Sequence, residues 1–251
     1  VHVIDVGQGD SLLYEQNGHY ALIDAGTADS RPAILAYLQE QNVEKLDYLI
    51  MTHSHADHIG AMKKVLETVK VDKVILPDFT KGDLPTTSMF NKVLETIDAL
   101  GVPAVTAADG QIYPLGNGQF AVIKAGVQYG NNMNNMSIVT RFTAPQFSFM
   151  ASGDAEKEVE AAILEDGTDI SAMVYKAGHH GSTTSNTPAF VKAINPSAVV
   201  VSCGLDNDYG HPHKEIVELF HTQNIEMYRT DLQGHLVVTA TENGPVISTQ
   251  K

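Results

Sequence analysis

The sequence predicts an α/β protein in which two sheets pack together and helices cover their outer faces. Three observations carry that expectation. Short apolar runs separated by turn residues open the chain, strand–helix alternation follows, and the same order recurs in the second half. No low-complexity linker interrupts the chain and no repeat of roughly 20–50 residues is visible, so 1–251 is expected to form one domain.

Val1–Asp5, Ser11–Glu15 and Tyr20–Asp24 read as strands, parted by Gly7–Asp10 and by Asn17-Gly18. Arg31–Gln41 has helical spacing, Leu46–Met51 reads as a buried strand, and helical periodicity resumes over Ala61–Val69. A strand at Lys73–Leu76, a polar loop from Asp78 and a helix over Ser88–Leu100 come next. Short strands follow around Ala104, Gln111–Tyr113, Phe120–Ala125, Ser137–Phe142 and Phe147–Ala151. Helices near Glu156–Leu164, Pro188–Ile194 and Lys214–Gln223 then alternate with strands at Met173–Lys176, Ala198–Ser202 and Glu226–Arg229. Leu236–Ala240 and Pro245–Thr249 read as a closing hairpin.

Composition bounds the function. Apolar residues make up 43% and charged residues 18%, a folding composition. No window approaches the roughly 18 uninterrupted apolar residues of a membrane-spanning helix, and no signal peptide opens the chain. Val1 sits inside a strand-like run without an initiator Met, which reads as a trimmed domain edge. The expected setting is the surface or exterior of a bacterium, with the cytoplasm as the alternative. Cys203 is the single cysteine and excludes an internal disulfide; in the run Ala198–Cys203 it reads as a small core residue. The net charge of −14 weighs against tight nonspecific nucleic-acid binding, which depends on neutralising phosphates. Bound divalent ions would focus positive potential at one point of this acidic body.

The chemistry concentrates in His53-Ser-His55-Ala-Asp57-His58, directly after the Leu46–Met51 strand. A strand end followed by a loop lets successive side chains converge on a fixed point. The alternate residues His53 and His55 can face one ion, and Asp57 and His58 turn toward a second position as the chain enters the next helix. Imidazole with carboxylate suits Zn, Mn or Fe, and the absence of thiolate argues against a closed structural Zn site. Gly7-Gln-Gly-Asp10 lacks the Lys and Ser/Thr of a phosphate-binding P-loop and reads as a tight turn.

This segment resembles the signature of the metallo-β-lactamase superfamily. Tyr20–Gly26 is similar to the early strand whose Asp, here Asp24, supports the metal-binding loop. Ser152-Gly-Asp154 resembles the strand-end Asp that bridges both metals, and Lys176-Ala-Gly-His179-His180-Gly-Ser182 the late His motif. Val3–Ser11, Asn134–Val139, Tyr209-Gly-His-Pro-His213 and Tyr228–Asp231 narrow the resemblance to the metallo-β-lactamase domain of the ComEC competence proteins. The resemblance implies a four-layer αββα sandwich of two mixed sheets with the site at one edge. ComEC proteins also carry membrane segments, so this chain is expected to be an excised domain or a free-standing relative.

The resemblance further implies two divalent ions, Zn or Mn. His53, His55 and Asn134 would hold one; Asp57, His58 and His179 the other; Asp154 would bridge them. Many superfamily members have a third His where this chain has Asn134 and Asn135, and an amide oxygen would shift preference toward Mn. Asn134 as a turn cap is the alternative. Spacing does not distinguish His179 from His180; the resemblance favours His179, leaving His180 to face substrate or bond within its loop. His211 is expected to contact a phosphate oxygen or protonate the leaving group, and Asp57, His180 and His211 form the candidate catalytic set. Ser182 and Thr183 could donate to a phosphate or cap a turn, and Asp10 could support the metal site. The implied activity is phosphodiester hydrolysis, with DNA as substrate. The alternatives are a phosphodiesterase on a small or cell-wall substrate, such as a choline-phosphate ester, and a non-catalytic metal-stabilised module. Asp78–Ser88 and Gln128–Met133 are expected to border the cleft.

Overall fold

The structure is a computed structural model that describes residues 1–81, 84–127 and 131–250; Gly82, Asp83 and Gln128–Gly130, inside the two loops expected to border the cleft, lie outside the described residues. The first half runs β1 (His2–Val3), β2 (Leu12–Gln16), β3 (His19–Ile23), α1 (Arg31–Glu40), β4 (Lys45–Leu46), β5 (Tyr48–Ile50), α2 (Ala56–Ile59), α3 (Met62–Thr68), β6 (Lys70–Val71), β7 (Val74–Leu76), α4 (Ser88–Leu100) and β8 (Ala104–Thr106). The second half runs β9 (Ile112–Leu115), β10 (Gly118–Ala125), β11 (Ile138–Ala144), β12 (Phe147–Ala151), α5 (Lys157–Asp166), β13 (Val174–Lys176), α6 (Pro188–Ile194), β14 (Ala198–Val201), α7 (Lys214–Thr222), β15 (Glu226–Arg229) and α8 (Thr230–Gln233). The hairpin β16 (Leu236–Thr241) and β17 (Gly244–Thr249) then returns to the first sheet beside β1.

Two mixed sheets result. One has eight strands in the order β17-β16-β1-β2-β3-β5-β7-β8; the other has seven, β15-β14-β13-β12-β11-β10-β9; β4 and β6 pair separately. The expected Leu46–Met51 strand is therefore split. Lys45 and Leu46 pair with β6, and Asp47 donates its N–H to the Tyr20 carbonyl at 2.8 Å before β5 begins.

Strand periodicity of two distributes each strand between two cores. Leu12 and Tyr14 of β2, Ala21 and Ile23 of β3, and Phe147, Phe149 and Ala151 of β12 point into the core shared by the sheets. Leu13 and Leu22 point the other way, into a core roofed by α1, α3 and α4. Met150, Tyr175, Val199 and Val201 point out of the second sheet against α5, α6 and α7. Three cores between four layers make the αββα sandwich that the sequence predicts. The helices end where their sequences stop them. Thr87 caps α4 through the Phe90 N–H, and Gly101 closes it in the left-handed region at φ 64°.

The parallel strands deliver the chemistry. β3 and β5 run parallel in one sheet, and β12, β13 and β14 in the other. Asp24, the His53–His58 segment, Asp154, His179–His180 and the loop to His211 follow the C-terminal ends of these five strands in turn. The loops are sewn together across the sandwich: Ile138 donates to the Thr52 carbonyl at 3.0 Å and Ser202 Oγ to the Gly9 carbonyl at 2.7 Å.

Candidate metal centre

After β5 the chain enters a buried turn that Asp24 organises. Its carboxylate accepts from the Thr52 N–H at 2.8 Å, the Thr52 hydroxyl at 2.6 Å and His58 Nδ1 at 2.7 Å. The last bond fixes the His58 tautomer and aims Nε2 at Asp154, as expected for Asp24. His55 occupies the N-cap position of α2, where a short polar side chain would usually cap. Its ring makes no cap bond and instead lies with Nδ1 3.1 Å from His53 Nε2. The backbone on either side is packed too tightly for a Cβ: one at Gly9 would strike the Asp57 carbonyl, and one at Gly60 the Thr27–Ala28 peptide.

The second sheet brings up Asp154, whose N–H donates to Ser137 Oγ at 3.1 Å. Its Oδ2 lies 3.1 Å from His58 Nε2, 3.5 Å from His180 Nε2, 3.6 Å from His179 Nε2 and 3.8 Å from His53 Nε2. His179 and His180 both adopt left-handed backbone, φ 47° and 55°, a strain of about 1–3 kcal/mol each that surrounding bonds must hold. That conformation separates the two rings. His180 is buried, with Nδ1 3.0 Å from the Ser202 carbonyl and 3.3 Å from Asp10 Oδ1, and Nε2 3.3 Å from Asp57 Oδ2. Ligand atoms of Asp57, His58, Asp154 and His180 all lie within 4.8 Å of one another. His179, the expected ligand of this pair, sits at the rim; its Nδ1 lies 3.0 Å from the Thr184 hydroxyl.

Asn134 shares the cleft and is not the turn cap: Asn132 accepts the Asn134 N–H with its own side chain at 3.0 Å. Glu156 accepts from the Asn134 amide nitrogen at 2.9 Å, which leaves Oδ1 as the atom without a partner.

These residues fit a divalent metal. His58 Nε2, His180 Nε2, Asp154 Oδ1 and Asn134 Oδ1 are buried without a hydrogen-bond partner. Each such atom costs about 1–3 kcal/mol unless something coordinates it, and imidazole and carboxylate are the donor set of Zn and Mn. The electrostatics agree. Burial opposes charge on Asp154, and the His58 and His180 rings overcome it and hold the carboxyl well below its usual range. Burial likewise opposes charge on His58, but Asp154 and Asp24 raise its imidazole well above the ordinary value. A ring drawn this strongly by carboxylates is one whose proton a cation would replace.

Sequence reasoning left Lys176 unassigned. It is fully buried in β13 and paired with Asp10, the carboxylate beside His180. Burial pushes Asp10 up, yet Lys176 and His180 pull its pKa down to about 2. A lysine in a strand flanked by Tyr175 and Ala177 was the available signal. Ser182 and Thr183 tie the turn together: Ser182 Oγ accepts from Thr184 N–H at 3.3 Å, and Thr183 donates its N–H to His213 Nδ1 at 3.0 Å.

His211 lines the same cleft, about 360 Å³ in volume, with Gln8, His55, Asp57, His179 and Tyr209. Burial, then the neighbouring His180 and His179, lower its pKa to about 4, so it is neutral at pH 7. Gly204 N–H donates to Gln8 Oε1 at 3.2 Å, which turns the Gln8 amide nitrogen toward His211 Nδ1 at 3.4 Å. Nδ1 is then the acceptor and Nε2 carries the proton. Ser88, from the loop expected at the cleft, lines a separate cavity of about 450 Å³ with Arg31, Lys63, Lys64 and Lys92.

Known proteins agree with this fold. The sequence profile of the Metallo-beta-lactamase superfamily matches residues 4–204. ComE operon protein 3 of Bacillus subtilis is 30% identical over 93% of this chain, and Competence protein ComA of Neisseria gonorrhoeae 27% identical over 94%. Recombination protein 2 of Haemophilus influenzae is 25% identical over 95%. The chain spans about a third of each relative's length: 32%, 31% and 28%. Among solved structures, the metallo hydrolase Igni18 of Ignicoccus hospitalis superposes with a TM-score of 0.61 at 15% identity, covering 100% of this chain and 99% of that one. The metallo-β-lactamase fold protein YhfI of Bacillus subtilis gives 0.60 at 12% identity, covering 91% and 94%. The chain belongs to the metallo-β-lactamase superfamily.

Proposed function

We propose that this chain is a binuclear metal-dependent phosphodiesterase whose substrate is DNA. The observation that carries the reading is one cleft in which unpartnered ligand atoms of His58, Asp154 and His180 converge with Asp57 beside the His53–His55 pair. In this reading Asp57, His58 and His180 hold one ion, Zn or Mn. His53, His55 and the Asn134 amide oxygen hold the other, and Asp154 serves both. Bound metal supplies a water of lowered pKa and polarises phosphoryl oxygens.

The remaining work belongs to the chain. Asp24 and the Ser202 carbonyl occupy the Nδ1 sides of His58 and His180, leaving both Nε2 atoms for the cleft. His211 is the hydrogen-bond donor to a phosphoryl oxygen through Nε2–H. Of the two roles expected from sequence, a pKa of about 4 favours this one over protonation of the leaving group. His179 takes the place at the cleft wall that the sequence reading gave to His180. The core shared by the two sheets supports reading 1–251 as one domain.

The names Competence protein ComA and Recombination protein 2 support nucleic acid as the substrate class. The net charge of −14 favours a second reading, a phosphodiesterase on a small or cell-wall ester. The test is cleavage of single- and double-stranded DNA by metal-stripped protein, with and without added Mn or Zn, beside an Asp57→Ala control. Metal-dependent cleavage lost in the control supports the nuclease. Turnover of a small phosphodiester without DNA cleavage transfers the reading to the smaller substrate, and metal binding without turnover of either leaves a binding module.

A further inference from the structure

The loop from β14 to α7 is held by several hydrogen bonds and presents an aromatic ring that the fold does not use. Asn207 pins it: its amide nitrogen donates to the Gly204 carbonyl at 2.8 Å and the His211 carbonyl at 2.6 Å, and its Oδ1 accepts the His211 N–H at 3.0 Å. Gly204 is tied to Gln8, and the Tyr209 carbonyl lies 3.2 Å from His213 Nε2. Tyr209 is nevertheless 66% exposed, the only aromatic among the exposed large hydrophobic side chains of the described residues. Its ring lies nearly parallel to that of His211, 17° between planes and 5.6 Å between centroids.

A lone exposed hydrophobic residue is ordinary. This one differs in place and posture. It lines the metal cleft, and the loop that carries it is fixed at several points. The His211 ring in turn lies 6.0 Å from His180 and 5.5 Å from His179, so Tyr209 stands one ring further out than a group in reach of the candidate ligands. A substrate with its phosphodiester at the centre and a planar group one sugar away would meet that face.

Resting on the phosphodiesterase reading above, we infer that Tyr209, backed by His211, is a stacking platform for the nucleobase next to the scissile phosphate, which makes single-stranded nucleic acid the preferred substrate. A base inside a duplex is already stacked on its neighbours and cannot lie on the ring, whereas an unpaired base of any identity can. The platform selects strandedness without selecting sequence.

The test uses the metal-loaded protein and two substrates: a single-stranded oligothymidylate and an oligonucleotide of equal length carrying abasic sugars throughout. The wild-type KM for the base-bearing strand should be lower by about 5- to 150-fold, the range of one aromatic–base stack. In Tyr209→Ala that ratio should fall toward one, while Tyr209→Phe and Tyr209→Trp retain it. A ratio unchanged by Tyr209→Ala, with both strands cleaved, overturns the platform and leaves the nuclease standing. Cleavage of neither strand by the wild type removes the nuclease reading and the platform with it.

Discussion

Among the candidate ligands, Asp154, His58 and His180 are buried and the two rings are braced by further side chains, whereas His55, in the same cleft, is exposed and lies against His53. His58 is held by Asp24, and Asp24 by Thr52. His180 is held by the Ser202 carbonyl and Asp10, and Asp10 by the buried Lys176. Asn186 bonds both the N–H and the carbonyl of Gly178 and also the Ser182 carbonyl, clamping the His179–His180 turn; Glu160 accepts the Asn186 and Thr187 N–H groups. On the other side, among the described residues His53 has the Thr52 and Ser137 hydroxyls near Nδ1, at 3.2 and 3.4 Å. The contrast teaches that the two metal positions of the proposed site are unequal. In that proposal one position would be organised before metal arrives and the other completed by it.

The largest effect should follow removal of the shared carboxylate. Asp154→Asn is expected to lower the affinity of both positions by more than about 100-fold, beyond the range of outer partners, measured by metal content after dialysis. His55→Ala should remove one ion per chain and leave the other. Equal loss from the two variants would break the comparison.

The bracing itself comes next. Lys176→Met leaves the buried Asp10 carboxylate without its lysine and should cost about 3–5 kcal/mol in denaturant unfolding of the metal-free protein. The double variant Lys176→Met/Asp10→Leu should recover much of that stability but not the metal affinity of the braced position. Recovery of both would mean that Asp10 serves only the fold.

Glu160 sharpens the comparison through pH. Burial outweighs the bonds from Thr187 and Asn186 and raises its pKa from 4.5 to about 7. The folded state therefore keeps a proton that the unfolded chain releases. The associated stability is present at acid pH and declines as pH rises from about 4.5 to about 7, by about 3 kcal/mol at most. Glu160→Gln should not show this decline relative to wild type; parallel pH profiles of unfolding would contradict it. The smallest effect concerns Cys203, whose thiol burial raises to about 12. It should resist alkylation at pH 8 until the protein is unfolded.

The layered fold was legible because strand alternation divides Leu12, Leu13 and Tyr14 between two cores as its period of two requires. The candidate metal segment stood out in the sequence because its ligand types fall within six residues of one another after a strand. The choice between His179 and His180 was not, since the two are identical in type and adjacent, and two left-handed residues decide where each ring points. Nor was the Asp10–Lys176 pair, which joins positions 166 residues apart across the two sheets. Asn134 was half legible: its place in the cleft followed from resemblance, but Glu156 on the neighbouring loop settles which atom of the amide faces inward.

Calorimetric titration of the metal-free protein with Mn tests the unequal centre most directly, with His179→Ala and His180→Ala beside the wild type. The expected result is a tight and a weak event per chain, with the tight one lost in His180→Ala and kept in His179→Ala. Loss of the tight event in His179→Ala but not in His180→Ala, or two equal events in the wild type, would contradict it.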